Sequence, residues 1–420
     1  MRIYDPLYGE FELGPISAAL ATAPEVRRLS QIRLLNSMTP TLSTLGELRR
    51  YAHTLGVLYL FSRWRKASGS VYSNKELDAL EVAIILHDIA TPPFGHLFEY
   101  LLKEELGWDH ESAAVDTLLQ QHVQEDSGHQ IFAGKTPQVM KIVARLGVDI
   151  DLVLEILRKR HPLHHLIFGS LDFDNIDNVW RMAWALGFPL KPADAIELSK
   201  SLSVDKSSNL TISQVGLGLV EVWADLRKRV YEVLVFDFPT VASQAVLTQA
   251  LRTAMRSNLI TNEDWTLTDE ALLDRLMRQK ETRKMISEEY LGVLPKPLLT
   301  LQLPWQDFQA FSLSRLDIQI SVEKILNEIV KANWNVYVFK EKGSFSKKLI
   351  LQDDTGATHI FGTLSRSLIV YIFFSGTQPR GITKEIPKLI ELVASSFGTS
   401  IESITRTYIN GKSISNKSLF

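Results

Sequence analysis

Cysteine is absent from all 420 residues. Disulfides and thiolate-ligated zinc are therefore excluded, and any metal must rest on His, Asp and Glu side chains. Long apolar runs are missing too. The longest, Leu368 to Phe374, has the length of a strand and is far too short to span a bilayer. The opening MRIYDPLYGEFELG lacks the apolar segment of a secretory signal. These absences lead to the expectation of a cytoplasmic protein with no membrane partner. Glycine-rich phosphate loops of the P-loop or dinucleotide-binding kind do not occur. Neither sign of charge dominates: the formal net charge is −2. Nucleic acid stays open as a partner but is not indicated by charge.

What is present is ordinary for a globular chain, with 45% apolar and 22% charged residues. The length allows two or three domains. Residues 3 to 13 alternate around Pro6 and Gly9 and predict a short hairpin. From about Ala18 to Leu291 apolar residues recur at spacings of three and four, which predicts helices. The stretch GVLPKPLLTLQLPW contains three prolines and reads as a linker. Beyond it the pattern predicts a helix near 322–332 and strands at 334–340, 348–352, 358–361 and 368–374. A last helix is predicted near 386–395. The expected division is a helical unit with an N-terminal hairpin over 1–292, a linker over 293–306, and a smaller, mildly basic α+β domain over 307–420. The fold class is mainly α.

Chemistry concentrates in AIILHDIATPPFGHLFE, residues 83 to 99. An apolar helical run ends in His87 and Asp88, and a buried carboxylate needs a partner. His53 lies on another predicted helix with an apolar face. Asp172, Asp174 and Asp177 crowd into SLDFDNIDNVWRM. Taken singly, His53 reads as a hydrogen-bonded core histidine and the Asp cluster as a helix N-terminus. Together, two imidazoles and two carboxylates suit one divalent first-row ion. Such an ion polarises a phosphoryl oxygen or lowers the pKa of water. His161, His164 and His165 lie among arginines and a lysine and read as a polar helix end.

The order of these residues resembles the HD-domain phosphohydrolases. It is nearer still to their deoxynucleoside triphosphate triphosphohydrolase branch, which includes bacterial dGTPases and SAM-and-HD-domain enzymes. The resemblance is carried by DPLYGEFEL, APEVRRLSQIRLL, RRYAHTLGVLYL, LHDIATPPFGHLFE, WDHE and LDFDNIDNVWR, in the family's order across about residues 5 to 181. It implies that His53, His87, Asp88 and Asp174 bind one divalent ion. Mn, Fe, Zn, Ni and Mg are all left open, with Mg accompanying the substrate phosphates as a further option. Asp172 matches a neighbour that leaves the metal alone. Arg50 matches a phosphate-binding arginine, a role suited to a planar guanidinium; Arg227 corresponds to a second. His96 matches the histidine near the leaving oxygen, with Glu99 where the family has Asp. His110 and Glu111 match a pair beside the scissile phosphate. The implied reaction releases nucleoside and triphosphate from a nucleotide, and a homo-oligomer is expected.

Departures are informative. Where the family has a lysine and a tyrosine facing the substrate, this chain has Asn175 and Asn178, and Met182 replaces a sugar-binding aspartate. Losing a cation and two sugar contacts implies a different ligand or a different pose. Thr22, Arg27 and Ser30 replace residues that hold an activating guanine nucleotide, so activation by that route is not expected. Two rival readings follow: an HD phosphodiesterase or nuclease acting on nucleic acid or cyclic nucleotides, and a nucleotide-binding scaffold whose catalysis has lapsed.

Overall fold

The N-terminal hairpin pairs Arg2–Asp5 with Gly9–Glu12 antiparallel. Asp5 Oδ1 accepts the Leu7 and Tyr8 amides at 2.9 and 3.0 Å, which closes the turn. The computed structural model describes residues 1–68, 71–109, 112–115, 138–205, 207–304, 313–341, 343, 347–363 and 366–415.

Helix Arg50–Ser68 is the hub of the helical unit. It packs on Asn74–Leu86, Phe173–Ala185 and Pro192–Lys200. Its buried residues, including His53, Leu55, Val57, Leu58, Leu60, Phe61 and Trp64, lie on most sides of the helix. Such all-round burial is expected of a helix enclosed by others. Asn74–Leu86 starts at a capping box, in which the Ser73 and Glu76 side chains satisfy each other's backbone amides. From Ala79 to Leu86 every residue is buried. The one charge in that run, Glu81, is met by the Ser17 amide at 3.1 Å and by Arg65 at 3.1 Å.

After Asp88 the chain breaks at Pro92–Pro93 and turns sharply. Phe94 and Gly95 both have positive φ, 57° and 51°. Phe94 is fully buried and its amide donates to Asp269 Oδ1 at 2.8 Å. Strain of this kind in a non-glycine residue persists only where the surroundings over-determine it. The turn launches helix His96–Leu106, which ends at Gly107 in the left-handed conformation.

The C-terminal region carries a five-stranded antiparallel sheet, in the order Lys412–Ile414, Arg406–Ile409, Lys296–Pro304, Ser367–Phe374, Trp334–Glu341. Ser367–Phe374 is buried at every position. Leu368, Val370, Ile372 and Phe374 pack with helices Arg315–Ile329 and Ile382–Ser396. Ile369, Tyr371 and Phe373 face the other way, onto Val235, Val241 and Ala242. A strand covered on both faces has no polar positions to alternate with, hence its uninterrupted apolar run.

The segment expected as a linker, 293–306, is instead occupied over Lys296–Pro304 by the middle strand of this sheet. Its prolines fall where the ladder loses least: Pro297 at a register shift and Pro304 at the strand end. A second sheet was not expected at all in its first half. It joins Leu202–Val204 and Leu210–Ile212 to Leu349–Asp353 and Thr358–Phe361. Leu210–Ile212 pairs parallel to Leu349–Asp353, Thr211 opposite Gln352 and Ile212 opposite Asp353. This pairing fastens the C-terminal region to the helical unit. Among the described residues no single helix is long and apolar enough to cross a membrane.

Candidate metal centre

Three helices converge on one point. His53 lies in the first turn of Arg50–Ser68, His87 and Asp88 follow Asn74–Leu86, and Asp174 lies in the first turn of Phe173–Ala185. One ligand atom from each of His53, Asp88 and Asp174 lies within 4.8 Å of the others. That is close to the spread of ligands around one ion with bonds of about 2.0–2.2 Å. His53 Nε2 is 2.7 Å from Asp174 Oδ1. His87 Nε2 is 3.3 Å from the same oxygen and 4.0 Å from Asp88 Oδ1.

Both imidazoles are oriented from behind. His87 Nδ1 donates to the Ile84 carbonyl at 2.7 Å, which turns Nε2 toward the cluster. His53 Nδ1 bonds Asp177 Oδ2 at 2.6 Å. Arg181 grips Asp177 with two bonds, Nε to Oδ2 at 2.8 Å and Nη2 to Oδ1 at 3.0 Å. Its remaining Nη1 bonds Asp5 Oδ2 of the hairpin at 2.9 Å. A ligand histidine backed by a carboxylate is the usual way its tautomer and basicity are set at a metal. Gly56 permits the close approach: a Cβ there would lie 2.0 Å from Asp177 Oδ1 and 2.2 Å from Arg181 Nη2.

The electrostatics fit a cation. Burial opposes charge on His53, but Asp174 and Asp177 outweigh it and raise its pKa to about 10. Burial likewise opposes charge on His87, yet Asp88 and Asp174 lift it to about 9. Asp88 resists the upward push of burial and is held well below the usual carboxylate range, by Arg50 first and His87 next. The carboxylates thus favour positive charge at this point, which a divalent ion would supply in place of the imidazole protons. Two imidazoles and two carboxylates are a donor set that hard to borderline first-row ions accept.

The cluster forms the floor of a cavity of about 530 Å³. Arg50 stands at its edge, with Nη1 2.9 Å from Asp88 Oδ2, and Thr91 Oγ1 donates to Asp88 Oδ1 at 3.0 Å. His96 lines the wall, and its Nδ1 bonds Glu99 Oε2 at 2.8 Å, which orients the ring. Arg227 also lines the cavity; its Nη1 donates to the Gly343 carbonyl at 3.0 Å and its guanidinium lies 4.5 Å over the Tyr231 ring. Asn178 and Met182 complete one side. The Asn178 Oδ1 is buried with no hydrogen-bond partner among the described residues.

Asn175, expected to face the substrate, does not line the cavity. It is the third residue of its helix, and its side chain bonds back to the capping Asp172 Oδ1 at 2.9 Å. Asp172 is the helix cap, its side chain accepting the Asn175 amide; burial, then Asp174, pushes its carboxyl up to about 8. His110 and Glu111 lie outside the described residues. Sequence reasoning assigned no role to Asp5 or Arg181. The Asp177–Arg181 spacing of four on one helix was the available signal. It also missed Arg315, Lys340 and Lys347, which line the cavity from the C-terminal region.

Residues 50–165 match the HD domain family. The deoxynucleoside triphosphate triphosphohydrolase SAMHD1 of Bos taurus is 27% identical over 137 residues, covering 30% of this chain and 23% of the relative. The match thus spans under a quarter of that protein's length. A phosphohydrolase from Bacteroides thetaiotaomicron superposes with a TM-score of 0.64 at 16% identity, covering 90% of this chain and 100% of that one. A hypothetical protein from Aquifex aeolicus superposes with a TM-score of 0.66 at 17% identity, covering 93% and 98%. At these identities the two structures establish the shared fold.

Proposed function

We propose that this HD-domain protein is a metal-dependent phosphohydrolase acting on a nucleotide, and that its substrate is a (deoxy)nucleoside triphosphate, released as nucleoside and triphosphate. The observation that carries this reading is the His53–Asp88–Asp174 cluster, with His87 beside it, at the floor of a cavity edged by guanidinium groups. A divalent ion held there supplies Lewis-acid polarisation of a phosphoryl oxygen and makes water a stronger nucleophile. The chain's own residues do the rest. Arg50 and Arg227 bind phosphoryl oxygens and offset the charge that builds in the transition state. His96, oriented by Glu99, is placed to protonate the leaving oxygen. Asn178 lines the same cavity and its amide is the polar group there for a sugar hydroxyl.

Asn175 stands where the family has a lysine for the phosphate tail, and this favours one rival, hydrolysis of a diester that carries no such tail. A single panel separates the two. The protein, supplied in turn with Mn, Mg, Ni, Zn and Fe(II), is incubated with dNTPs, NTPs, cyclic dinucleotides and single-stranded DNA, and products are identified by mass. Tripolyphosphate supports the proposal. Shortened oligonucleotides or linearised dinucleotides support the rival. No product with any metal points to the lapsed scaffold.

A further inference from the structure

We propose that the C-terminal region of this chain completes the active site in cis, with Lys347, assisted by Lys340 and Arg315, binding the polyphosphate tail of the substrate. The inference rests on the phosphohydrolase reading above and names the residues that select its anionic substrate.

The helical unit lacks a cation where the resemblance calls for one. Asn175 occupies that position and bonds Asp172 instead of entering the cavity. The C-terminal region makes good the loss. Arg315, Lys340 and Lys347 all line the same cavity as His53 and Asp174. Lys347 is partly buried and lines the cavity together with Asp174; burial and the neighbouring Arg227 pull its ammonium below the usual lysine range, against the attraction of Asp172 and Asp174. Lys340 Nζ donates to the Leu313 carbonyl, which fixes its stem near the start of helix Arg315–Ile329. The Arg315 guanidinium sits 3.9 Å over the Tyr100 ring, one turn along from His96.

This placement is built into the fold. Lys347 lies two residues before strand Leu349–Asp353, and that strand pairs parallel to Leu210–Ile212 of the helical unit. Gln214 Nε2 bonds Asp353 Oδ2 at 2.5 Å and strengthens the seam. From the other side Arg227 holds the Gly343 carbonyl at 3.0 Å. Strand pairing after Lys347 and the arginine contact to Gly343 therefore hold both of these residues at the cavity. Among the described residues five cationic side chains line the cavity, Arg50, Arg227, Arg315, Lys340 and Lys347, against the carboxylates Asp88 and Asp174. A divalent ion would neutralise those two carboxylates. The surplus positive charge suits a ligand carrying several negative charges close together, as a triphosphate does.

The test uses the full chain and inorganic tripolyphosphate as the probe, with binding measured by calorimetry in the presence of Mg. The wild type binds it. Lys347→Gln weakens binding about tenfold, Lys340→Gln weakens it less, and Lys347→Arg restores most of it. In turnover, Lys347→Gln raises KM for a triphosphate substrate more than it lowers kcat. Melting temperatures within a degree or two of wild type confirm that the variants fold; if Lys347→Gln does not, the Lys340→Gln and Lys347→Arg arms decide. Wild-type binding unaltered in all variants overturns the assignment of these residues and leaves the phosphohydrolase reading standing. A wild type that hydrolyses phosphoesters but ignores tripolyphosphate overturns the polyphosphate assignment. A wild type that hydrolyses nothing with any metal fails the underlying reading instead.

Discussion

His53 Nδ1 and Asp177 Oδ2 lie 2.6 Å apart, both buried. The carboxylate faces away from the metal-binding side and acts on it only through the imidazole. Asp177→Asn keeps the shape but loses the charge that favours a metal-ready Nε2. Metal affinity is expected to fall about 10- to 100-fold, measured by titration of the chelator-treated protein. Unchanged affinity would show that Asp177 serves packing alone.

Gly56 is the only residue type that fits against this pair. In Gly56→Ala the new methyl would overlap Asp177 Oδ1 and Arg181 Nη2, both buried backing groups with no room to retreat. A loss of about 1–3 kcal/mol in stability is expected, together with weaker metal retention. Urea unfolding provides the check; a shift below about 0.5 kcal/mol, the range of neutral surface changes, would contradict the packing described.

Glu99 is expected to affect turnover and not metal content. Its carboxylate bonds His96 Nδ1 at 2.8 Å but lies outside the metal cluster. Glu99→Gln should lower kcat about 10- to 100-fold through loss of general-acid alignment and alter the pH profile, with bound metal at wild-type stoichiometry. Parallel loss of metal and activity would instead assign Glu99 a structural role.

Removing the metal, or Asp88, should abolish hydrolysis. Asp88→Ala also strands the buried Arg50 guanidinium, whose bond to Asp88 is 2.9 Å. Activity lost to a chelator should return on adding a divalent ion to the wild type and not to Asp88→Ala. Full activity in that variant would refute the metal assignment.

Glu289 gives a pH signature away from the active site. It is buried beside Ser243, and burial raises its carboxyl to about 7 against the hydrogen bond that lowers it. The folded state therefore holds this proton more tightly than the unfolded chain. Its stability contribution is complete below about pH 4.5 and is lost as pH rises through about 7. Glu289→Gln should match wild type near pH 4 and be more stable at pH 8, by up to about 3 kcal/mol. Equal stability at both pH values would mean the carboxyl is not desolvated.

The grouping of His53, Asp88 and Asp174 that the fold brings within 4.8 Å was legible because its signals are local. His53, His87, Asp88 and Asp174 each interrupt an apolar pattern, and their order along the chain matched a known arrangement. The strands expected at 358–361 and 368–374, observed at Thr358–Phe361 and Ser367–Phe374, were legible for the same reason, as short apolar runs bounded by turn residues. Lys296–Pro304 was misread because Pro295, Pro297 and Pro304 together speak for a linker, while the sheet accepts Pro297 at its register shift and Pro304 at the strand end. Asn175 was misplaced because sequence alignment assigns a position and not a side-chain direction; capping by Asp172 decided that direction.

By itself the sequence determined the helical class, the apolar faces, the absence of thiol chemistry and the set of residues able to hold a metal. The first three follow from composition and from spacings of a few residues; the last follows from residue type and from the order shared with a known family. Only the tertiary structure decided that Asp177, Arg181 and Asp5 form one line of support behind His53, and that Lys347 stands over the same cavity as Asp174. Those relationships arise from strand register and helix packing between distant segments. No local spacing encodes them, because the free energy that fixes them is gained only when the whole core closes.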